Sequence, residues 1–367
     1  MKAEQQQRLC RAGPGTDGGA LLRHCWLPVA LLDELQGVAG ALLPLRVLGQ
    51  DLLLFRDALG RWGLLDRSCP HRGADLALAQ HEGDGLRCAL HGWKFDIHGR
   101  CLDAPAEPAG STLCQRVRQR SYPVLERAGL LFAWLGPADS APDVLPALAG
   151  LDAPAGHALL LRTQWQCNWL QALEMGLDPL VSLAPAPLEL RVEQPAPGLM
   201  RWTALRPVDG AQLHVRVAQV LSPHCVVLPL SQSLTLTRWH VPMDDTHTAV
   251  YSLVCSFDAV LDAQALPEDA IGRREQRFAE SMGPMQDRTR EHPAASDKAI
   301  VAYRRMLLKA MDALRFGERL PSAGDAVCSA AAQGLEPIEC VVPARDWLRH
   351  CRNAVAQRHE RAVWRRP

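Results

Sequence analysis

Four side chains in two short runs have the types and spacing to do chemistry. Cys69 and His71 lie in Cys69-Pro70-His71-Arg72-Gly73-Ala74-Asp75-Leu76; Cys88 and His91 lie in Cys88-Ala89-Leu90-His91-Gly92-Trp93-Lys94-Phe95-Asp96. Each run offers one thiolate and one imidazole. Such a set suits a [2Fe–2S] cluster in which Cys69 and Cys88 hold one iron and His71 and His91 the other. Thiolates are soft, strongly donating ligands that favour ferric iron, while imidazoles donate less and carry a titratable proton. Exchanging two of four thiolates for imidazole raises the potential to about −150 to +300 mV, against about −400 mV for an all-thiolate plant-type centre. A centre of that kind takes electrons from a flavin or ferredoxin donor and passes them on. A structural zinc is the competing reading, but zinc sites usually pair cysteine with cysteine and histidine with histidine rather than one of each per loop. Chance placement among 12 Cys and 13 His is the blander alternative. Two mixed pairs, both in Gly-bearing loops, argue against it.

The runs at 69–76 and 86–96 resemble, almost residue for residue, the two cluster loops of the Rieske non-haem iron oxygenases, ring-hydroxylating alpha subunits of the phthalate-dioxygenase type. The resemblance extends over most of the chain. It implies α+β architecture: a small all-β Rieske domain, then a helix-grip domain whose antiparallel sheet is wrapped by helices. In that family two histidines and one aspartate of the second domain hold a ferrous iron that activates dioxygen. In its trimers a bridging aspartate links one subunit's cluster to its neighbour's iron.

Composition sets the outer bounds. A chain of 367 residues has room for two cored domains. Forty basic residues balance forty acidic ones, so nothing points to nucleic acid or an anionic membrane. No apolar run reaches the length of a membrane span, and the polar start Met1-Lys2-Ala3-Glu4 is unlike a secretory signal, so a cytoplasmic location is expected. The ten cysteines outside the two runs are scattered, without a disulfide framework, and read as small buried hydrophobes. Cys101 and Cys114 fall near the cluster runs, but their spacing does not make them ligands.

In chain order, 1–20 reads as a polar, Gly-rich lead-in, 21–138 as the Rieske domain and 139–367 as the oxygenase-type domain. Short apolar runs at Leu45–Val47, Leu52–Phe55 and Trp62–Leu65, broken by Gly and Asp, predict hairpin strands of the small sheet that carries the cluster loops, closed by Tyr122–Leu125 and Leu130–Leu135. The turn-rich Gly136–Pro142 marks a boundary. Beyond it the pattern predicts strands at Ala158–Gln166, Leu199–Leu205, Leu213–Leu221, Ser233–Val241 and Ala249–Phe257, and helices at Trp165–Glu174, Glu268–Glu280 and Ala299–Leu314. The basic end from Leu348 to Pro367 reads as a solvated helical face or tail.

The second iron site departs from the family pattern. Asn168-Trp169 and Glu174 are present, and Asp178 stands where the bridging aspartate would be, but the two histidine positions are Val181 and Ala186. Neither side chain binds a metal. Asp287 occupies the position of the carboxylate ligand, read here as a remnant paired with Arg288 or Arg290; His214, His240 and His292 are the only nearby substitutes considered. The connection from Asp178 to Leu213 is short and Pro-rich, and the stretch between Phe257 and Glu280 is abbreviated, which would remove walls of a substrate pocket. The leading expectation is therefore a [2Fe–2S] subunit without its own mononuclear iron. It would receive electrons from a reductase or ferredoxin and pass them to a related, intact oxygenase subunit in a trimer-based hetero-oligomer. A self-sufficient oxygenase with an unusual iron site, and a purely structural subunit, stay as alternatives.

Overall fold

The computed structural model describes residues 1–35, 42–182, 188–262, 266, 272–318, 320, 335–362 and 364. It divides into two compact units, Arg23–Ala141 and a larger one formed by Met1–Leu22 with Pro142–Pro367. The chain opens with helices α1 (Ala3–Cys10) and α2 (Asp17–Arg23). The stretch expected to be a lead-in is thus built into the larger unit. Leu9, Cys10 and Ala12 of that stretch are buried, as are Leu21 and Leu22 just after it. Polar contacts pin the rest: Arg8 bridges Asp17 at 2.6 Å and Asp312 at 2.5 Å.

The smaller unit holds three sheets. Strands β1 (Trp26–Leu31), β10 (Val124–Arg127) and β11 (Leu130–Trp134) make one; β2 (Leu42–Val47), β3 (Gln50–Arg56), β4 (Trp62–Asp66) and β9 (Ser121–Tyr122) make the second. Leu52 to Phe55 are buried on both sides, which is why that run is continuously apolar rather than alternating. The third sheet, β5 (Gln80–Glu82), β6 (Gly85–Arg87), β7 (Lys94–Asp96) and β8 (Cys101–Asp103), is followed by the one-turn helix α3 (Leu113–Arg116). The cluster loops do not hang from the sheet of predicted hairpins alone. The first leaves β4 and the second joins β6 to β7, within strands of three residues that are too short to show a period.

In the larger unit an eight-stranded antiparallel sheet runs in the order β12 (Ala158–Trp165), β18 (Thr248–Ser256), β17 (Leu234–Pro242), β16 (Cys225–Pro229), β15 (Gln212–Leu221), β14 (Leu199–Pro207), β13 (Glu189–Ala196), with β19 (Ile338–Pro343) added to β15. One edge of β15 is shared: Gln219–Leu221 pair with β16 and Gln212–Val217 with β19. Helices α4 (Trp169–Glu174), α5 (Pro179–Ser182), α6 (Arg273–Ser281), α7 (Lys298–Arg315) and α8 (Trp347–Arg361) surround it. On one face α6 brings Ala279 against Trp165 and Val250; on the other α8 sets Cys351 and Ala354 on Leu205, Val215, Val217 and Ile338. This is the α+β, helix-wrapped sheet that the sequence pattern implies.

Three strands depart from the sequence reading. The Pro-rich connection after Asp178 contains β13, an edge strand whose Pro195 sits where the register with β14 shifts between Glu193 and Ala196. Proline lacks an N–H, so edge strands and bulges are where a sheet tolerates it. β16 and β19 were hidden by their brevity. Helix 165–174 begins only at Trp169, because Trp165 completes β12. The basic tail is helix α8, and its Arg358 is buried, donating to the Pro337 carbonyl at 2.6 Å and to Glu336 at 2.7 Å. Part of the segment between Phe257 and Glu280 read as abbreviated, 263–265 and 267–271, lies outside the described residues.

Candidate functional site

The two cluster loops share one backbone design. In the first, Cys69 N–H donates to the Ala74 carbonyl at 2.8 Å and Gly73 N–H returns to the Cys69 carbonyl at 2.9 Å. In the second, Cys88 N–H donates to the Trp93 carbonyl at 2.8 Å and Gly92 N–H to the Cys88 carbonyl at 2.9 Å. Each loop closes through a glycine in the left-handed region, Gly73 at φ +78 and Gly92 at φ +75. Any side chain there would be strained. Arginines brace the bases: Arg67 clamps Asp75 at 2.8 and 2.5 Å, and Arg87 donates to the Gly92 carbonyl at 2.6 Å and to Asp103 at 2.8 Å.

These loops bring the four candidate side chains together as two pairs. Cys69 and Cys88 are both 3% exposed, and burial, with the adjoining Cys88 sulfur, pushes the Cys69 thiol up to about 11. The His71 and His91 rings lie 4.5 Å apart, and His71 stacks on Trp93 at 4.3 Å with planes 10° apart. His71 Nδ1 is buried with no hydrogen-bond partner, the condition of a nitrogen reserved for a metal. Among the described residues no three His, Cys, Asp or Glu side chains converge on a single point. Pairing of like donors is what two adjacent irons require, and differs from the four ligands that a lone zinc gathers around one centre.

The second-site residues are arranged otherwise. Asn168 caps α4, its Oδ1 accepting from Leu170 N–H at 3.2 Å while its Nδ2 donates to the carbonyls of Cys10 at 2.8 Å and Asp245 at 2.7 Å. Asp178 caps α5 by accepting from Leu180 N–H at 2.8 Å. Its pKa is raised, chiefly by burial, with Asp297 adding to the effect against the Leu180 bond. Asp287 accepts from Thr289 N–H at 3.0 Å and Thr289 Oγ1 at 2.6 Å. Of the two arginines the sequence reading offered as partners, Arg290 adds its charge to the Thr289 bonds that lower the Asp287 pKa. Arg288 turns inward to a buried tetrad instead, 2.9 Å from Glu174 and 3.6 Å from Glu291. Arg304 joins the same two carboxylates, each at 2.6 Å. Burial alone would lower the Arg304 pKa, but Glu174 and Glu291 outweigh it and hold the group above its ordinary value. Val181 belongs to α5, and Ala186 lies outside the described residues. Of the substitutes, His214 bonds Glu339 at 2.9 Å, His292 is exposed, and His240 is buried edge-on to Trp165. Burial and the Arg238 charge push His240 down to about 3, so it is neutral.

The Rieske [2Fe-2S] domain family matches residues 25–123, and a family described as LigXa C-terminal domain like matches 268–364. The oxygenase subunit of phthalate 4,5-dioxygenase from Pseudomonas putida is 30% identical, with 89% of each chain covered. The chain belongs to the Rieske non-haem iron oxygenase family. Another relative, the oxygenase subunit of tert-butanol monooxygenase / tert-amyl alcohol desaturase from Aquincola tertiaricarbonis, is 31% identical over 83% of this chain and 76% of its own. Among solved structures, the oxygenase of a carbazole 1,9a-dioxygenase oxygenase–ferredoxin complex shares the fold at TM-score 0.63 and 18% identity, covering 84% of this chain and 95% of that one. This Rieske oxygenase chain thus has a [2Fe–2S] domain and the family's second domain. Sequence reasoning singled out Cys69, His71, Cys88 and His91, which the two loops bring together, but missed the Glu174–Arg288–Arg304–Glu291 tetrad, since Arg304 stands far from Glu174 in the chain. A signal for the shared loop design was present: cysteine and glycine are four apart in both loops.

Proposed function

We propose that Cys69 and Cys88 ligate one iron of a Rieske cluster and His71 and His91 the other. The chain would serve as the electron-delivering subunit for a related partner whose own mononuclear iron oxidises the substrate. One contrast carries this reading. The cluster donors are gathered, with both thiols buried and His71 Nδ1 without a hydrogen-bond partner, whereas Asn168, Asp178 and Asp287 each cap a helical turn and the positions of Val181 and Ala186 have no donor atom. A facial triad needs three protein ligands in fixed geometry, and these residues do not fit a mononuclear ferrous iron.

When bound, the cluster supplies one-electron transfer at a potential raised by its imidazole ligands. The chain's residues do the rest. The paired loop hydrogen bonds orient both thiolates, Trp93 covers the face of His71 against water, and His91 is half-buried beside it. Leu90, 59% exposed, sits beside His91 and gives the cluster tip an apolar contact suited to a partner chain. The carbazole oxygenase–ferredoxin complex supports a ferredoxin or reductase as donor. The phthalate and tert-butanol relatives support an aromatic or other small organic substrate for the partner. Asp178, half-buried at the start of α5, would bridge to the neighbouring subunit in a trimer-based hetero-oligomer of the cytoplasm. Iron and acid-labile sulfide per chain, measured anaerobically on the chain alone and with the partner, test the proposal. Equal iron and sulfide, with turnover only when the partner is present, is expected. An additional iron per chain, or turnover by the chain alone with a reductase, overturns it.

A further inference from the structure

The cluster unit contains a second pair of sulfurs that no ligand role explains. Cys101, on β8, is 7% exposed within the core cluster that also holds Cys69, Cys88, Trp93 and Phe95. Its S–H donates to the Cys114 sulfur at 3.1 Å, and Cys114 is half-buried on α3. Both are free thiols, and the chain between them runs out through an exposed excursion, residues 105–112. The sulfurs need to close by only about 1 Å to reach the 2.05 Å of a disulfide, and α3 is a single turn that can yield that distance.

We propose that Cys101 and Cys114 form a reversible dithiol–disulfide site, oxidised by hydrogen peroxide, separate from the cluster ligands. Access and hydrogen bonding set the order of events. Burial, with the Cys114 sulfur beside it, holds the Cys101 thiol up at about 12, so Cys101 keeps its proton while Cys114, nearer solvent, meets the oxidant. Peroxide oxygen adds to the Cys114 sulfur with loss of one water, giving a sulfenic acid. The Cys101 sulfur then attacks Cys114, the new S–S bond forms, and the sulfenic oxygen leaves as a second water carrying the Cys101 proton. Two thiols and one peroxide become one disulfide and two waters. The product ties α3 to β8 across the exposed excursion.

The test is peptide mapping of the full chain with its cluster, purified anaerobically, treated with equimolar hydrogen peroxide, quenched with catalase, unfolded in the presence of the alkylating reagent and digested. The expected result is a peptide pair joining Cys101 to Cys114, lighter by two hydrogens, as the dominant form of both, and reverted by dithiothreitol. A Cys114→Ala chain should leave Cys101 alkylated after the same treatment, with the visible absorbance of the cluster unchanged. Recovery of both cysteines as alkylated thiols in the unsubstituted chain, or of Cys101 linked to Cys69 or Cys88, overturns the proposal.

Discussion

Replacing Glu174 by Gln should destabilise the larger unit by about 3–5 kcal/mol, the usual cost of breaking a buried ion pair and stranding its partner. Glu174 is 3% exposed and Arg288 1%, and the tetrad of two arginines and two glutamates is neutral as it stands. Removing one carboxylate leaves a net positive charge away from water. The loss falls mainly on Arg288, which keeps the neutral Gln286 amide oxygen at 2.6 Å but, of the two carboxylates, the Glu291 contact at 3.6 Å, whereas Arg304 retains Glu291 at 2.6 and 3.0 Å. With a urea dependence of about 2 kcal/mol per molar, the midpoint of the larger unit's transition should fall by roughly 1.5–2.5 M. Tryptophan fluorescence reads that transition, since Trp165, Trp169, Trp202 and Trp239 are all buried there, and the two units should be fitted as separate transitions. The decisive variant is the double one. Arg288→Met on the Glu174→Gln background restores neutrality, so the pair should show a coupling of about 2 kcal/mol or more. A single-mutant loss below about 1 kcal/mol, or simple additivity, would refute the assignment of a buried, charge-balanced tetrad.

Other outcomes follow from the loops and caps. Gly92→Ala places a Cβ 2.8 Å from Pro105 Cγ at a backbone φ of +75, so iron and sulfide per chain should drop, with a stability loss of about 1–2 kcal/mol; full cluster content in that variant counts against the loop design. Gly13→Ala, at a position with nothing within 4 Å, is the control. Asp287→Ala should leave iron content untouched, because its carboxylate serves Thr289; loss of an iron would restore it as a ligand. Cys69→Ser should abolish the cluster absorbance and stop turnover by the partner, while gel filtration shows the same assembly. Undiminished turnover would leave this chain a purely structural role.

The cluster site was legible because its information is local: two donors and a left-handed glycine fall within five residues in each loop. The long strands β14, β15, β17 and β18 were legible for the same reason, their apolar runs being bounded by Pro, Gly and Asp. What escaped needed distant partners. Arg288 and Asp287 are adjacent, and only the position of Glu174 and Arg304 decides which of them turns inward. β5 to β8 are three residues each, held by neighbours rather than by a pattern. Pro195 argued against a strand until the shifted register at the sheet edge gave it a place. The proximity of Cys101 to Cys114, and of Cys340 to Cys351 at 3.4 Å, is invisible in a sequence where the cysteines look scattered.

The anchoring of α1 bears on the order of biosynthesis. The Met1 ammonium donates to the Arg288 carbonyl at 3.1 Å, Arg288 N–H donates to Gln6 Oε1 at 2.8 Å, and Arg8 waits for Asp312. Helix α1 therefore finds its docking partners only after residues 288–312 have emerged, roughly 15–60 s later at ordinary elongation rates. Among the described residues the strands of the intervening unit, Arg23–Ala141, pair with one another and with no later strand. It can finish folding, and bring the two loops with Cys69, His71, Cys88 and His91 together, while the helices that close the larger unit are still being translated.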